Sequence, residues 1–362
     1  MRIGFILTNL AGGGAEKAVL NLAAALLARG HRVEVILLER IAAHALPAAI
    51  GAHALTREGT SVGKGWLGKR LAARRLSRLL ARLARDGPFD LVVSTLPFAD
   101  EVAILADLPR HWCRIANTLS AEVARLAARD SPKAARRMAR YRRLYGSRPL
   151  IAVSEGVGED LRGAIGLAHA RVEVIPNPFD FAALRARAAE PADLPRGPYV
   201  IHVGRFSGQK RHDVLLDAFA RLRTPHRLVL LAGPEPALLR MIADRGLGDR
   251  VIVAGFKDNP YPWIAAADLL ALASDHEGLP NVIIEALSLG VPVVSTDCPS
   301  GPREILGEAL REYLVPVGDA TALAAAMERA LANPPDVSKV ELSRYATPRV
   351  VEAYERLARQ RP

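Results

Sequence analysis

The chain has 362 residues, half of them hydrophobic, and a formal net charge of +11. This length exceeds the size at which one hydrophobic core usually stops growing, so we expect two domains. The two cysteines, Cys113 and Cys298, lie far apart without metal-ligand spacing, which argues against a disulfide framework or zinc site and predicts buried thiols.

The positive charge lies in the first half of the chain. Residues 1–178 hold 27 Lys and Arg against 15 Asp and Glu, and the remainder is nearly balanced. Much of the excess falls in Lys69–Gly87 and Ser131–Arg148. In the first stretch leucines recur at helical spacing with arginines between them, which predicts a basic amphipathic helix. Such a helix suits an anionic membrane surface, nucleic acid or plain solvent, and the scarcity of interleaved aromatic residues disfavours nucleic acid.

The start of the chain favours neither a membrane span nor a signal peptide. The longest uncharged apolar run there, Ala18–Ala28, is far shorter than the roughly 20 residues that a spanning helix needs. Ile3–Thr8 has the character of a strand rather than of a secretory h-region. We therefore expect a cytoplasmic protein.

Short β-branched runs alternate with longer alanine- and leucine-rich stretches, which predicts parallel βαβ units. The predicted strands of the first half are Ile3–Thr8, Val33–Leu38, Leu91–Ser94 and Ile151–Val153. After a linker near residues 177–198 the pattern restarts, with strands at Tyr199–Val203, Arg227–Leu231, Val251–Ala254, Leu269–Leu272 and Pro292–Ser295. The sequence thus predicts an α/β protein with two similar open sheets, and such sheets bind ligands beyond the carboxyl ends of their strands.

The first loop of interest contains the glycines 12–14, which follow a strand and open a helix predicted to end near Arg29, with Gly30 as its stop. Glycines there let backbone amides approach an anion at the helix N-terminus. A dinucleotide fingerprint fails because Lys17 takes the place of its third glycine, although Glu39 ends the second strand like a ribose-binding acid. A tight turn without a ligand is the other interpretation.

The second loop, in "HVGRFSGQKRHDVLLDAF", places Arg205 between Gly204 and Gly208, with Lys210 just before a helix predicted to begin around residue 212 or 213. Two cations on a glycine-rich turn can converge on two linked phosphates. The GK[ST] ending of a Walker loop is absent. Plain surface charges on a turn are the alternative.

The third segment, "SDHEGLPNVIIEALSLGVPVV", holds Glu277 and Glu285. If the segment were helical throughout, the two glutamates would lie roughly 12 Å apart along the axis. The two carboxylates of a glycosidase acid/base pair lie only about 5 to 9.5 Å apart, so this spacing instead suits binding of the two ends of an elongated ligand. Pro280 predicts a helix start with Asn281 in its first turn, so that the amides of Gly278–Asn281 are free for a ligand. Carboxylates accept hydrogen bonds from sugar hydroxyls. Two solvent-facing helix glutamates are the alternative, against which their apolar neighbours argue.

These segments, together with "GGAEK", "AVSEGVGEDL", "VIPNP" and "STDCPSGPREIL", resemble a retaining GT-B glycosyltransferase of family 4, in the bacterial branch that builds cell-surface polysaccharides and lipid-linked glycans. The resemblance implies two Rossmann-like domains facing across a central cleft. The acceptor-side domain would comprise residues 1–178 joined by the C-terminal helix 348–362, and the nucleotide-sugar-binding domain residues 196–340.

The resemblance also implies site residues, with Arg205, Lys210 and Glu277 as catalytic. The donor-binding residues it implies are Gly13, Gly14, Arg205, Lys210, Phe256, Lys257, Glu277, Gly278, Leu279, Pro280, Asn281 and Glu285. In this assignment the two cations hold the diphosphate and neutralise its developing charge, so no metal is required. Glu277 and the amides after it hold the transferred sugar, and Glu285 holds the ribose. The backbone at Phe256 and Lys257 meets the base, and the two glycines approach the diphosphate or the acceptor.

On the acceptor side the sequence departs from several relatives. Where they carry a histidine, this chain has Ala116 and Asn117, and His111 lies a few residues upstream. Asn117 is the remaining candidate for an acceptor contact. The departure places any histidine-assisted acceptor chemistry in doubt.

The predicted activity is transfer of a hexose or N-acetylhexosamine from a UDP-sugar to a glycan linked to polyprenyl diphosphate. The expected partners are the nucleotide sugar, the acceptor and an anionic membrane touched peripherally at its inner face by the basic N-terminal domain, and no nucleic acid. A nucleotide-sugar epimerase of similar fold and a non-catalytic nucleotide-sugar-binding protein are the alternatives. The motifs offer no obvious acid/base pair for the epimerase.

Overall fold

A computed structural model describes residues 1–11, 13–41 and 49–360. Gly12 and the last two residues of the predicted helix 348–362 lie outside this range. The chain divides into two compact units, one formed by Met1–Phe179 with Arg344–Pro362 and the other by Asp180–Ser343. The first boundary lies one residue beyond the predicted end of the first domain.

The described residues of the first unit form a seven-stranded parallel sheet in the order β3-β2-β1-β4-β5-β6-β7. Its strands are β1 Arg2–Leu7, β2 Arg32–Leu37, β3 Gly51–Ala54, β4 Leu91–Thr95, β5 His111–Ile115, β6 Leu150–Ala152 and β7 Val172–Val174. Its helices are α1 Gly14–Ala28, α2 Trp66–Leu83, α3 Pro97–Leu105, α4 Leu119–Ala127, α5 Ser131–Tyr145, α6 Glu155–Arg162 and, at the end of the chain, α14 Thr347–Arg359.

Both faces of this sheet are covered by helices. All six residues of β1 are buried, as expected for a central parallel strand. On one face Phe5 packs in a cluster with Leu22 of α1 and Tyr354 of α14. On the other, Ile6 packs with Leu76 of α2 and Val102 of α3. The final helix therefore completes the core of the first unit.

The second unit contains a six-stranded parallel sheet in the order β10-β9-β8-β11-β12-β13. Its strands are β8 Tyr199–Val203, β9 Arg227–Leu231, β10 Val251–Val253, β11 Leu269–Leu272, β12 Val293–Thr296 and β13 Leu314–Val315. Its helices are α7 Phe181–Ala188, α8 His212–Arg221, α9 Pro236–Ala243, α10 Tyr261–Ala265, α11 Asn281–Ser288, α12 Pro302–Leu306 and α13 Ala320–Ala332. The predicted fold of two parallel-sheet Rossmann-like halves is confirmed.

Every predicted strand is present, with ends that differ by a residue or so. The pattern missed four strands, namely β3, β5, β7 and β13, which are short or polar in sequence. Part of the segment predicted as a linker is the helix α7, which belongs to the second unit. Cys113 and Cys298 are free and buried, as predicted.

Candidate functional site

The loop that follows β8 brings Lys210 back over the end of its own strand. A Cβ atom at Gly204 would lie 3.3 Å from both Lys210 Cε and His202 Nε2, which is tighter than most real contacts. Glycine at position 204 therefore lets the lysine stem cross close to the backbone. Arg211, the residue before α8, has a left-handed backbone with φ of 47°, which turns the chain from the loop into the helix.

Lys210 and Glu277 form a close ion pair. Lys210 Nζ donates to Glu277 Oε1 at 2.6 Å, and the side chains are 19% and 8% exposed. Beside them Gln209 Nε2 donates to the carbonyl of His276 at 2.7 Å, and Asp275 N donates to the carbonyl of Gln209 at 2.8 Å. The two loops meet because β8 and β11 are neighbours in the sheet, so that their carboxyl ends lie together.

Arg211 adds a third connection between these loops. Its guanidinium donates to both carboxylate oxygens of Asp213 at 2.9 to 3.1 Å and to Asp275 Oδ1 at 2.8 Å. Burial raises the pKa of Asp213, but the hydrogen bonds and charge of Arg211 outweigh it and place that pKa below its ordinary value. These hydrogen bonds and ion pairs hold the segment 209–211 against the segment 275–277.

The segment around the second glutamate confirms the predicted helix start. Pro280 is the residue before α11, which begins at Asn281. Gly278 and Leu279 are buried. Behind them Gly301 has φ of 90°, and a Cβ atom there would lie 2.2 Å from Pro280 Cδ. Only glycine fits at position 301, so the turn after β12 sets the position of the 278–280 backbone.

Glu277 and Glu285 are both buried, at 6% and 9% exposure, so the alternative of two solvent-facing glutamates is wrong. Glu285 lies one turn inside α11, and the hydroxyl of Tyr261 contacts its Oε1 at 3.4 Å. Burial and the neighbouring Glu285 charge raise the pKa of Tyr261. The tyrosine therefore stays a hydrogen-bond donor at neutral pH.

Phe256 and Lys257 come shortly before α10, the helix that contains this tyrosine, in the sequence. They follow Gly255, whose φ is 76°, at the end of β10. Phe256 is 74% exposed, and Lys257 Nζ lies 4.6 Å from the centroid of the Trp263 ring, a distance at which a cation–π attraction acts. Because Tyr261 and Trp263 both belong to α10, this helix contacts Glu285 at one residue and Lys257 at another.

Arg205 stands apart from these contacts. Its side chain is exposed, and within the described ranges no ion pair joins it to a carboxylate. The structure thus brings Lys210 together with Glu277 and leaves Arg205 on the surface of the same loop, two residues after β8 ends.

Two buried histidines beneath the loop were missed by the sequence reasoning. His202 Nδ1 donates to the carbonyl of Ala271 at 2.9 Å, and its ring meets that of His212 edge-on at 4.8 Å. Burial, and then the neighbouring His212, hold the pKa of His202 well below its ordinary value, and burial with the Lys210 charge lowers that of His212 to about 4. Both rings are neutral at neutral pH and support the loop from below. The signal in the sequence that could have revealed them was His202 within the strand β8.

In the first unit, Gly13 is the residue before α1, with an extended backbone, and a Cβ there would lie 2.4 Å from Glu16 Oε2. Gly14 is exposed with open space beside its Cα. Glu39, weighed above as a ribose-binding acid, accepts hydrogen bonds from Asn9 Nδ2 at 3.2 Å and Val62 N at 3.0 Å. Both of its oxygens are thus engaged within the fold, which weighs further against the NAD interpretation.

Asn117 and His111 have local partners. Asn117 Nδ2 donates to Glu122 Oε1 at 3.1 Å, and its Oδ1 accepts from Thr118 N at 3.0 Å at the start of α4. His111 is buried in β5 with Nε2 2.8 Å from Ser94 Oγ, and burial with the charge of Arg148 lowers its pKa to about 3. His111 is therefore part of the core.

Comparison with known proteins agrees with this fold. Residues 12–183 match the family model described as Glycosyltransferase Family 4, and residues 197–333 match that of Glycosyl transferases group 1. A solved structure of Anabaena Alr3699/HepE in complex with UDP and glucose superposes with a TM-score of 0.70 at 20% identity, over 98% of each chain. The fold is that of the GT-B class, with one Rossmann-like half in each of the two matched ranges. Together the two family models match most of the chain, with a Glycosyltransferase Family 4 domain in its first half and a Glycosyl transferases group 1 domain in its second.

Two curated relatives match part of the chain. The N-acetylgalactosamine-N,N'-diacetylbacillosaminyl-diphospho-undecaprenol 4-alpha-N-acetylgalactosaminyltransferase of Campylobacter jejuni is 35% identical over 168 residues, 46% of each protein. The lipopolysaccharide core biosynthesis glycosyltransferase LpsE of Rhizobium meliloti is 37% identical over 150 residues, 41% of this chain and 43% of the relative. The chain spans less than half the length of these relatives in the alignments.

Proposed function

We propose that the protein transfers a hexose or N-acetylhexosamine from a UDP-sugar to a glycan acceptor with retention of anomeric configuration. The observation that carries the proposal is the Lys210–Glu277 pair, 2.6 Å apart and mostly buried, at the carboxyl ends of two adjacent parallel strands. Lysine and glutamate side chains are seldom buried unless they are paired, and the position is where open α/β sheets bind their ligands.

In this proposal the cations of the 204–211 loop bind the donor diphosphate. An ammonium group has three donors, so Lys210 can hold Glu277 with one and phosphate oxygens with the others. Arg205, exposed on the same loop, adds a bidentate donor for phosphate. Both stabilise the negative charge that grows on the leaving nucleotide. The chemistry then requires no metal, and unchanged turnover in a chelator would support that expectation.

The two carboxylates hold the sugar-bearing ends of the donor. Glu277 and the backbone of Gly278, Leu279, Pro280 and Asn281 bind the transferred sugar, whereas Glu285 binds the ribose. The Tyr261 hydroxyl at 3.4 Å orients the Glu285 carboxylate for this contact.

The donor and acceptor ends extend beyond this pair. The exposed Phe256 and the adjacent Lys257 offer a surface for the base. The backbone of Gly13 and Gly14 is proposed to approach the diphosphate or the acceptor. Asn117 is the proposed acceptor contact.

The proposed reaction is a front-side displacement. A bond forms between the acceptor oxygen and the anomeric carbon while the bond from that carbon to the phosphate oxygen breaks, and the acceptor proton passes to the departing phosphate. The Campylobacter relative, by its name, makes an α linkage on a diphospho-undecaprenol acceptor. We therefore propose a polyprenyl-diphosphate-linked glycan as acceptor, met at the cytoplasmic face of the cell membrane during surface polysaccharide synthesis.

The test is a thermal-shift panel of UDP-, GDP- and ADP-sugars, since a ligand that binds the native state raises the melting temperature. We expect the UDP-sugar to raise it most for the wild type and hardly at all for Lys210→Ala or Arg205→Ala. The matched control is Arg240→Ala, an exposed arginine on α9. A shift that survives Lys210→Ala would reject the donor site.

Turnover then separates the alternatives. Incubated without acceptor, a transferase leaves the UDP-sugar largely unchanged in its NMR spectrum, whereas an epimerase converts it. A binding protein shows the thermal shift but no transfer to any lipid-linked glycan extract.

A further inference from the structure

The helix α2, Trp66–Leu83, has an outward face made of large apolar and basic side chains. Trp66, Leu67 and Leu71 are 62%, 74% and 49% exposed. The exposed arginines of the same helix are Arg70, Arg74, Arg75, Arg78 and Arg82. The opposite face, including Leu76 and Leu80, is buried against the sheet. We call the outward set, from Trp66 to Arg82, the α2 face.

The charge on this face is not neutralised locally. The helix contains no Asp or Glu, and its Lys69, which lies to one side, already pairs with Glu101 at 2.8 Å. Across the part of the chain that the structure describes, none of the exposed arginines of α2 forms an ion pair. From Arg70 to Arg82 the face therefore presents a cationic surface about 18 Å long, at 1.5 Å per residue.

Two recesses lie along the arginines. An open groove of about 680 Å³ is lined by Arg75, Arg78, Arg82 and Arg85 together with apolar residues that include Leu55 and Leu79. A smaller pocket of about 140 Å³ adjoins it and shares Arg75. Guanidinium groups around an open recess bind phosphate oxygens well because each offers two parallel donors.

The apolar part lies at the first turns of the same helix. Trp66 and Leu67 precede the arginines, and the guanidinium of Arg70 lies 4.4 Å from the centroid of the Trp66 ring. A tryptophan with an apolar body and a polar edge is typical of membrane interfaces. Single exposed apolar residues are ordinary, but three adjoining ones beside unpaired arginines are not.

We infer that the α2 face docks on an anionic phospholipid bilayer, with Trp66, Leu67 and Leu71 in the interface and the arginines on the headgroup phosphates. Charge complementarity selects this partner, and the combination with an apolar edge is that of an interfacial helix. Nucleic acid would favour several free aromatic rings for stacking, whereas the face has Trp66 alone, already covered by Arg70. The inference deepens the proposed function, because it names the surface that meets a lipid-linked acceptor.

Tryptophan fluorescence tests the docking directly. Of the three tryptophans, Trp112 and Trp263 are buried and Trp66 is exposed. Vesicles of equal parts phosphatidylcholine and phosphatidylglycerol should shift the emission to the blue, and lipids brominated in the acyl chain should quench it. Both effects should disappear in Trp66→Phe, and pure phosphatidylcholine should give much weaker ones. Quenching in Trp66→Phe equal to that of the wild type would overturn the inference.

Charge reversal supplies the second test, by vesicle flotation of the full chain. Each arginine near an anionic surface contributes about fivefold to partitioning, so Arg75→Glu/Arg78→Glu/Arg82→Glu should lower vesicle binding by at least about a hundredfold. The matched control, Arg129→Glu/Arg136→Glu/Arg143→Glu, makes the same charge change at exposed positions in and before α5. It should keep most of the binding. Equal loss in both triples would mean that net charge alone acts, and would reject the α2 face.

The outcomes separate this inference from the proposed function. A chain that transfers sugar to a soluble acceptor analogue but ignores anionic vesicles fails only the docking inference. A chain that binds vesicles through α2 but shows no shift with any nucleotide sugar fails only the proposed activity. Binding of RNA in preference to anionic vesicles would likewise reject the lipid assignment. Circular dichroism melts of both triples confirm that they fold, and the Trp66 measurement on the wild type remains decisive if one does not.

Discussion

Arg211 has a backbone conformation that glycine adopts more easily, and ion pairs of its side chain stabilise that conformation. Its φ of 47° places Cβ close to the following carbonyl, at a cost of about 1 to 2 kcal/mol for a residue other than glycine. Its guanidinium pairs with Asp213 and Asp275, with the three side chains 25% to 38% exposed. At this exposure we assign each pair at most about 1 kcal/mol. The ion pairs thus roughly offset the backbone cost.

Two substitutions separate these contributions. Arg211→Ala loses both pairs and keeps the strained backbone, so we expect the free energy of unfolding to fall by about 1 to 2 kcal/mol. Arg211→Gly loses the same pairs but relieves the strain, and it should recover about 1 kcal/mol of that loss. For a unit of this size the difference between the variants corresponds to roughly 2 to 4 °C in melting temperature. The predicted order of stability is wild type, then glycine, then alanine.

The assay is thermal and urea unfolding of the three proteins in low and high salt. Salt should destabilise the wild type more than either variant, because it screens the pairs. Asp213 has a lowered pKa in the fold, so its contribution is present above its ordinary pKa of 3.8 and disappears as pH falls through the lowered value. The gap between wild type and variants should therefore close in acid. An alanine variant as stable as the glycine variant would refute the reasoning from backbone strain.

Three further predictions concern neighbouring features. Gly301→Ala should lower the unfolding free energy by about 2 kcal/mol and weaken binding of a UDP-sugar. The control is Gly290→Ala, which is also at positive φ but has open space around it and should show only the cost of backbone strain. Equal losses of the two variants in urea unfolding would contradict the predicted clash at position 301. Lys210→Met removes the cation paired with the mostly buried Glu277 carboxylate and should cost about 2 kcal/mol. Glu277→Gln should restore part of that loss in the double variant, and additive losses in the cycle would contradict the pairing. Burial raises the pKa of Asp100 from 3.8 to about 7, so the fold keeps a proton that the unfolded chain releases, and this group makes stability fall as pH rises from about 4 to about 7. Asp100→Asn should remove that part of the decline in a pH series of urea unfolding, and an unchanged slope would count against a protonated Asp100.

The pattern of hydrophobic residues was enough to predict the central strands and the starts of helices. Runs such as Tyr199–Val203 and Leu269–Leu272 are buried on both faces, so they show as continuous apolar segments and were predicted to the residue. Pro280 fixed the start of α11 for a local reason, since proline fits the beginning of a helix. By contrast, β5 was missed because "HWCRI" contains His111 and Arg114, whose polarity is tolerated only through hydrogen bonds to Ser94 and Asn177 far along the chain.

For the site, the sequence by itself determined which residue types follow the carboxyl end of each strand. This was possible because strands and the turns after them are short segments that can be identified from local sequence. The tertiary structure alone decided that Lys210 pairs with Glu277, that Glu285 contacts Tyr261 and that Arg205 stays exposed. These partners are separated by tens of residues and are brought together by the pairing of β8 with β11 and by packing around α11. Such contacts depend on the register and packing of distant elements, which no local pattern of residues encodes.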